Sequence, residues 1–255
     1  MFGWNNLSIR IKLPAAFATV ALVVALILSI GSAIIGTRGQ MRLTQENLTM
    51  TGMNRHDLLH GWLKAVSAAV RTGSSDSNTL QGLYALSSAF KELGPDAKSI
   101  LQSAYIANNP NPVEKRALLD RAEGNEYYHS QHILYHSQFR NLTEQQEFYD
   151  VFLIDNAGNI VYTVAKESDF GENLKTGRLK DTNLAKAVDA ASKGKAGEIF
   201  FSDFTTYEPS GNSVAMFVAS PVMNTAGKVV GVFAVQMPLS KIGNILDTDN
   251  LAGTS

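Results

Sequence analysis

Residues 148–171 read FYDVFLIDNAGNIVYTVAKESDFG. Val151–Ile154 and Ile160–Val164 are runs of β-formers, and Asp155-Asn-Ala-Gly-Asn159 between them supplies turn chemistry. The stretch therefore predicts a buried strand, a tight polar turn and a second strand that opens into a polar, Gly-containing loop. Downstream, Asp181 or Thr182 can cap a short helix with Leu184, Val188 and Ala191 on one face and Gly194 as its stop. Three more strands are readable at Glu198–Phe204, Ser213–Ser220 and Val229–Gln236, the last two joined by the turn Met223–Lys228.

Upstream of Phe148 the apolar spacing is helical instead. Gln40–Arg71 carries Leu48, Leu59, Trp62, Leu63, Val66 and Val70 as a stripe, and Thr72–Asn78 reads as a loop. Helices follow at about Thr79–Leu93 and Asp96–Ala107, broken by Asn108-Asn-Pro-Asn-Pro112, and then near Val113–Glu123 and Glu126–Leu142. Helices segregated from an antiparallel sheet with hairpins at both ends make the expected fold class α+β.

The N-terminal part is of another kind. Between Lys12 and Arg38 lie 25 residues without a charge, Leu13–Thr37. At about 1.5 Å rise per residue they reach roughly 37 Å, enough to cross a hydrocarbon core of about 30 Å. The run is longer than the roughly 7–15 apolar residues of a cleavable signal peptide, so it reads as an uncleaved anchor. Arg10 and Lys12 precede it and Arg38 and Arg42 follow, so charge orients it little. The shortness of the tail, residues 1–12, points to a cytoplasmic N-terminus with the polar body outside.

Composition removes several function classes. Beyond residue 42 there are 18 basic and 23 acidic residues, a balance without the basic footprint of a nucleic-acid binder. No cysteine is present, which excludes disulfides, thiolate metal sites and cysteine nucleophiles. Neither GxSxG, HExxH, Walker nor dinucleotide motifs occur, and Lys193–Glu198, KGKAGE, lacks P-loop spacing. An enzyme is not expected, and no cofactor or nucleic-acid partner is implied.

Taken in order, the segments LSIRIKLP (7–14), AYIANNPNP (104–112), HILYH (132–136), FYDVFLIDNAGNIVYTVAKESDFGENL (148–174) and VFAVQMPLSKI (232–242) resemble the PAS-like Cache sensor modules of bacterial methyl-accepting chemotaxis proteins. The resemblance covers nearly the whole chain. It implies a membrane-anchored homodimeric receptor in the bacterial inner membrane, its sensor in the periplasm, binding a small molecule and signalling across the membrane. It also implies a division into a tail (1–12), a transmembrane helix (13–37), a helical stalk and helical segment (40–147), a Cache module (148–242) and a connector (243–255) cut short of a second module. The same kind of sensor serves histidine kinases and nucleotide cyclases, and a membrane-tethered protein-binding adaptor is the alternative of another class.

The expected pocket lies between the sheet and the segment joining its second and third strands. Candidate ligand contacts are Tyr162, Lys166, Asp203, Tyr207 and Phe217. Asp203 is the sharpest, because it interrupts Ile199, Phe200, Phe201 and Phe204, and burial there would demand a cationic or hydrogen-bonding partner. Amino-acid-binding relatives resemble one another in an Arg or Lys followed by Trp-Tyr, with Tyr-x-Asp further on. Here Lys166 precedes Glu167-Ser168-Asp169 and Phe201-Ser202-Asp203 replaces the second element. Lys166, Lys175 and Arg178 could instead meet a carboxylate.

His129, His132 and His136 fall within an arc of about 60° on a helix, a geometry open to zinc. His132 also belongs to the stripe Tyr128, His132, Tyr135, Phe139, which favours packing or hydrogen bonding over metal. His56 and His60, four apart around Asp57, read the same way. The sequons at Asn47 and Asn141 carry no implication in a periplasm.

Overall fold

The structure, a computed structural model, describes residues 8–246. Residues 1–7 of the expected tail and 247–255 of the expected connector lie outside the described residues. The chain falls into two compact units, residues 1–57 and 58–255. In the first, the helix α1 (Ile9–Ser75) begins with a stretch, Ile9–Ile35, long and apolar enough to cross a membrane, and none of that stretch is buried by protein. Leu22, Leu26 and Ile30 all stand exposed on it, which in water would be a large uncompensated apolar surface.

In the second unit α1 ends later than the TGSSDSN stretch predicts. It runs through Ser75, and a single residue, Asp76, separates it from α2 (Ser77–Glu92). Asp76 adopts an extended backbone, and its carboxylate accepts from the Asn78 amide at 2.8 Å, capping α2. Gly94-Pro95 then stops the helix as expected, and α3 (Ala97–Gln102) continues as a π-helical turn, Ser103–Ala107. The helix expected over Val113–Glu123 is reduced to a 3₁₀ turn, Val113–Leu118. The fourth α-helix, α4 (Tyr127–Gln146), ends at Glu147 in the left-handed region, φ 54°.

The sheet is antiparallel, in the order β2-β1-β6-β5-β3 with β4 also paired to β5. Its strands are β1 (Asp150–Asp155), β2 (Ile160–Thr163), β3 (Phe200–Phe201), β4 (Thr205–Tyr207), β5 (Ser213–Met223) and β6 (Val229–Pro238). The helix α5 (Asn183–Ser192) lies between β2 and β3 in the chain, capped by Thr182, one of the two residues the sequence offers, and α6 (Leu239–Leu246) follows β6. The fold is α+β. The third predicted strand, Glu198–Phe204, is reduced to Phe200–Phe201, and β4 is a further strand that the sequence reading did not expect. Between them Ser202 bonds Phe217 through both its amide (2.9 Å) and its hydroxyl (2.9 Å), so a side chain takes over one rung of the ladder.

Helices cover both faces of the sheet, so its strands read as continuous apolar runs rather than alternating ones. Val151, Leu153, Val218, Phe233 and Val235 face Leu83, Leu86 and Phe139 of α2 and α4. Phe152, Ile154, Phe217, Ala219 and Ala234 face Leu184, Val188 and Ala191 of α5. Each fully buried Phe or Leu contributes roughly 1.5–3 kcal/mol. A register shift between Leu153 and Ile154 pairs Leu153 with Tyr162 but Ile154 with Ile160. The extra residue, Val161, lets Ile160 join the α5 face while Tyr162 turns under α4.

Candidate functional site

The site grows from the way the chain leaves β2. Asp150, at the start of β1, is fully buried and gathers the amides of Val151 (2.7 Å), Val164 (2.8 Å) and Ala165 (3.0 Å), together with the Thr163 hydroxyl. Burial pushes its carboxyl up to about 7, against the pull of these donors. The next residues alternate direction. Lys166 sits in the left-handed region at φ 58°, turning its side chain inward beneath α4, where it is wholly buried. Glu167 is also buried, its two oxygens bonded to the hydroxyls of Tyr149 and Ser210, each at 2.6 Å, while Ser210 is in turn held by Gln236 at 3.0 Å.

Lys166 Nζ lies 3.0 Å from His136 Nε2 and 3.3 Å from the Val164 carbonyl. Among the described residues it forms no ion pair. Desolvation lowers its pKa to about 7, with the Asp150 carboxylate opposing. His136 Nε2 is 2.7 Å from the Ala117 carbonyl and Nδ1 is 2.6 Å from the Tyr162 hydroxyl. Burial and Lys166 depress this imidazole to about 3, so it carries one proton at neutral pH. The Ala117 carbonyl fixes that proton on Nε2, and Nδ1 accepts from Tyr162. An Nε2–H facing Lys166 suits a neutral amine better than an ammonium. His132 stacks on His136 with ring centroids 4.5 Å apart and bonds the Asp120 carbonyl at 2.7 Å, and His129 meets the Tyr105 hydroxyl at 3.1 Å. The histidine stripe is thus packed and hydrogen-bonded.

On the other face, Tyr207 donates to Asp169 Oδ2 at 2.8 Å and lies edge-on to Phe217, ring centroids 4.8 Å apart. Asp169 Oδ1 is buried without a hydrogen-bond partner among the described residues, and burial holds this carboxyl well above the usual range. Leu174, Leu179, Leu184, Phe152 and Phe217 pack together here. A cleft of about 340 Å³ remains between the sheet and the connecting segment, lined by Asp155, Lys175, Lys186 and Val232 and by none of the five predicted contacts. Glu172 lies at the edge, clamped by Lys98 and Arg178 at 2.7 Å each. Arg178 also binds Glu208 and Ser168, and Lys175 donates to the Asn156 carbonyl at 2.7 Å, so these two of the three predicted anion binders are engaged by the protein itself.

The five predicted contacts are therefore not gathered in one place. Tyr162 and Lys166 each reach His136 under α4, Tyr207 and Phe217 meet under α5, and Asp203 is exposed beyond β3, where its carbonyl accepts from Asn183 at 2.8 Å. Sequence reading missed Asp150, Tyr149, Glu167 and Asp169. The usable signal was the acid at the head of an apolar strand, Asp150 before VFLI, which is as anomalous as the Asp203 that attracted attention.

A cleft of about 300 Å³ opens beside this polar core, between the Val113–Leu118 turn, the second half of α4 and the exit from β2. Glu167, Tyr149, Arg140 and Val164 are in its wall. A larger, more polar cleft of about 660 Å³ lies over the π-helical turn, lined by Ser103, Asn108, Arg121, Glu126 and His129.

No family model matches the chain, and no curated protein matches it. Among solved structures it is similar to the sensor domain of E. coli DcuS, at 15% identity over 76% of this chain and 98% of that one, with a TM-score of 0.39. It is similar to the sensor domain of the V. cholerae histidine kinase DctB, at 20% identity over 65% of this chain and 60% of that one, TM-score 0.38. The ligand-binding domain of the Campylobacter jejuni chemoreceptor Tlp3, in complex with 4-methylisoleucine, matches at 14% identity over 70% of this chain and 62% of that one, TM-score 0.35. The chain spans less than two thirds of the length of the last two. All three matches lie below 25% identity and below a TM-score of 0.5.

Proposed function

We propose that this chain is the periplasmic ligand-sensing part of a transmembrane chemoreceptor of the methyl-accepting kind, acting as a homodimer. It binds a small molecule and catalyses nothing. The observation that carries this reading is the pairing, in one chain, of an unburied apolar stretch at Ile9–Ile35 with a separately packed α+β unit that holds titratable groups in its core. An anchor of that length has no use in a free binding protein, and a ligand that favours one of two packings of the sensor unit can signal through differential affinity alone.

The cysteine-free sequence provides the test. Thr225→Cys, in the exposed β5–β6 turn, should react with a membrane-impermeant maleimide in intact spheroplasts, whereas Asn6→Cys should react only after permeabilisation. The reverse pattern would place the sensor unit in the cytoplasm and end the proposal. A second reading, a membrane-tethered adaptor for a protein partner, draws on the apolar packing of α5 against Phe152, Phe217 and Ala219 of the sheet. A metabolite thermal-shift screen separates the two, since the adaptor gains no stability from any small molecule.

A further inference from the structure

We infer that the cleft beside Glu167 is a binding site for a small organic ammonium ion with a short branched hydrocarbon body. This deepens the sensor reading by naming a ligand class, and the place is the opposite side of the sheet from the pocket expected in the sequence.

The charge comes first. The cleft wall holds Glu114, Glu144 and Glu167 against one cation, Arg140. Arg140 is already engaged, its Nη1 at 2.6 Å from Asp120 Oδ1 and 3.4 Å from the Ala117 carbonyl. Arg116 and Lys115 of the neighbouring turn are the nearest other cations in sequence, and Arg116 acts on Glu167 only through space. Glu167 itself is only 9% exposed, and among the described residues it forms no ion pair. A buried carboxylate whose direct partners are two hydroxyls, with Arg116 acting only through space, leaves a charge that an entering cation would complete. A carboxylate ligand would meet three acids and a guanidinium that is spoken for.

The remaining walls choose among cations. Val113, Val164, Ala117 and Ala165 give the cleft an apolar lining, which rewards a hydrocarbon body and offers nothing to a hydrated inorganic ion. Among the described residues no group of three or more His, Asp or Glu side chains is placed to hold a metal. Tyr149, 41% exposed beside Glu167, adds an aromatic face of the kind that attracts ammonium groups. The volume, about 300 Å³, is at the small end for ligand sites and suits a monoamine better than a larger metabolite.

The test is calorimetry of the full chain in nanodiscs at pH 7 with four probes: isobutylammonium, isovalerate, leucine and calcium. Isobutylammonium alone should bind saturably. Glu167→Gln keeps hydrogen bonding to Tyr149 and Ser210 but removes the charge, and should weaken binding at least tenfold. Tyr149→Leu should weaken it several-fold, and serves if the Gln variant melts early. Absence of isobutylammonium binding, equal affinity in Glu167→Gln, or tighter binding of isovalerate, leucine or calcium would each overturn the inference. The maleimide experiment is independent of these outcomes, so a failed amine site leaves the sensor reading standing, and a cytoplasmic sensor unit leaves the amine site standing.

Discussion

Replacing Lys166 by Met should stabilise the protein at neutral and acidic pH, and the gain should vanish in alkali. The lysine is wholly buried, and its pKa of about 7 sits about 3.5 units under the ordinary value of 10.5. That depression corresponds to roughly 5 kcal/mol of unfavourable burial of the ammonium form. Met keeps the length and most of the packing. His136 keeps its partners too, because the Ala117 carbonyl and the Tyr162 hydroxyl already occupy both ring nitrogens. The Val164 carbonyl loses a donor at 3.3 Å, worth about 1 kcal/mol. A net gain of about 2–4 kcal/mol follows, as when other buried charges are replaced by apolar groups. The penalty is fully present below the folded pKa of about 7. Above it the folded lysine is neutral while the unfolded one stays charged, so the wild-type chain gains about 1.4 kcal/mol per pH unit until the unfolded lysine also titrates. Urea unfolding of both chains between pH 6 and 9.5 reads the difference. Asp150, also raised to about 7, acts on Lys166 through space, so the comparison is repeated with Asp150→Asn in both chains to remove its titration. A Met variant less stable at pH 6.5, or a gap that ignores pH, would refute the account of Lys166 as a desolvated, unpaired amine.

Two further substitutions test the scaffold and the sharpest sequence candidate. Gly171 has φ 79°, and a Cβ there would approach Lys98 Cα to 2.8 Å, so Gly171→Ala should cost at least about 1–2 kcal/mol by thermal unfolding; a neutral result would mean the loop can move off α3. Asp203 is exposed, so Asp203→Ala should change stability by no more than about 0.5 kcal/mol. In the calorimetry it should leave isobutylammonium binding untouched, and a lost ligand there would return Asp203 to the site.

Some of this was legible along the chain. The charge-free run of 25 residues, the hairpin turn Asp155–Asn159 and the Thr182 cap are local statements, encoded in residues close in sequence, and each is found where the pattern puts it. The failures are also local in cause. Thr72–Ser75 reads as loop by composition, yet these residues complete α1, with Gly73 packed against the Phe233 ring. Val113–Glu123 reads as helix but has Arg121 bonding the carbonyls of Ala122 and Gly124, which organises a loop instead.

The sequence by itself determined the apolar N-terminal helix, the α+β order and the absence of cysteine and catalytic motifs, because periodicity and composition act over a few residues. Which side of the sheet each polar residue serves was decided only by the tertiary structure. A one-residue shift opposite Val161 sends Tyr162 under α4, and the left-handed turn at Lys166 buries a lysine that reads as a loop cation. Asp150, Lys166 and Glu167 then share one core with His136, Tyr149 and Ser210, residues up to 43 positions away. Burial sets their charge, and burial depends on neighbours that no local pattern names.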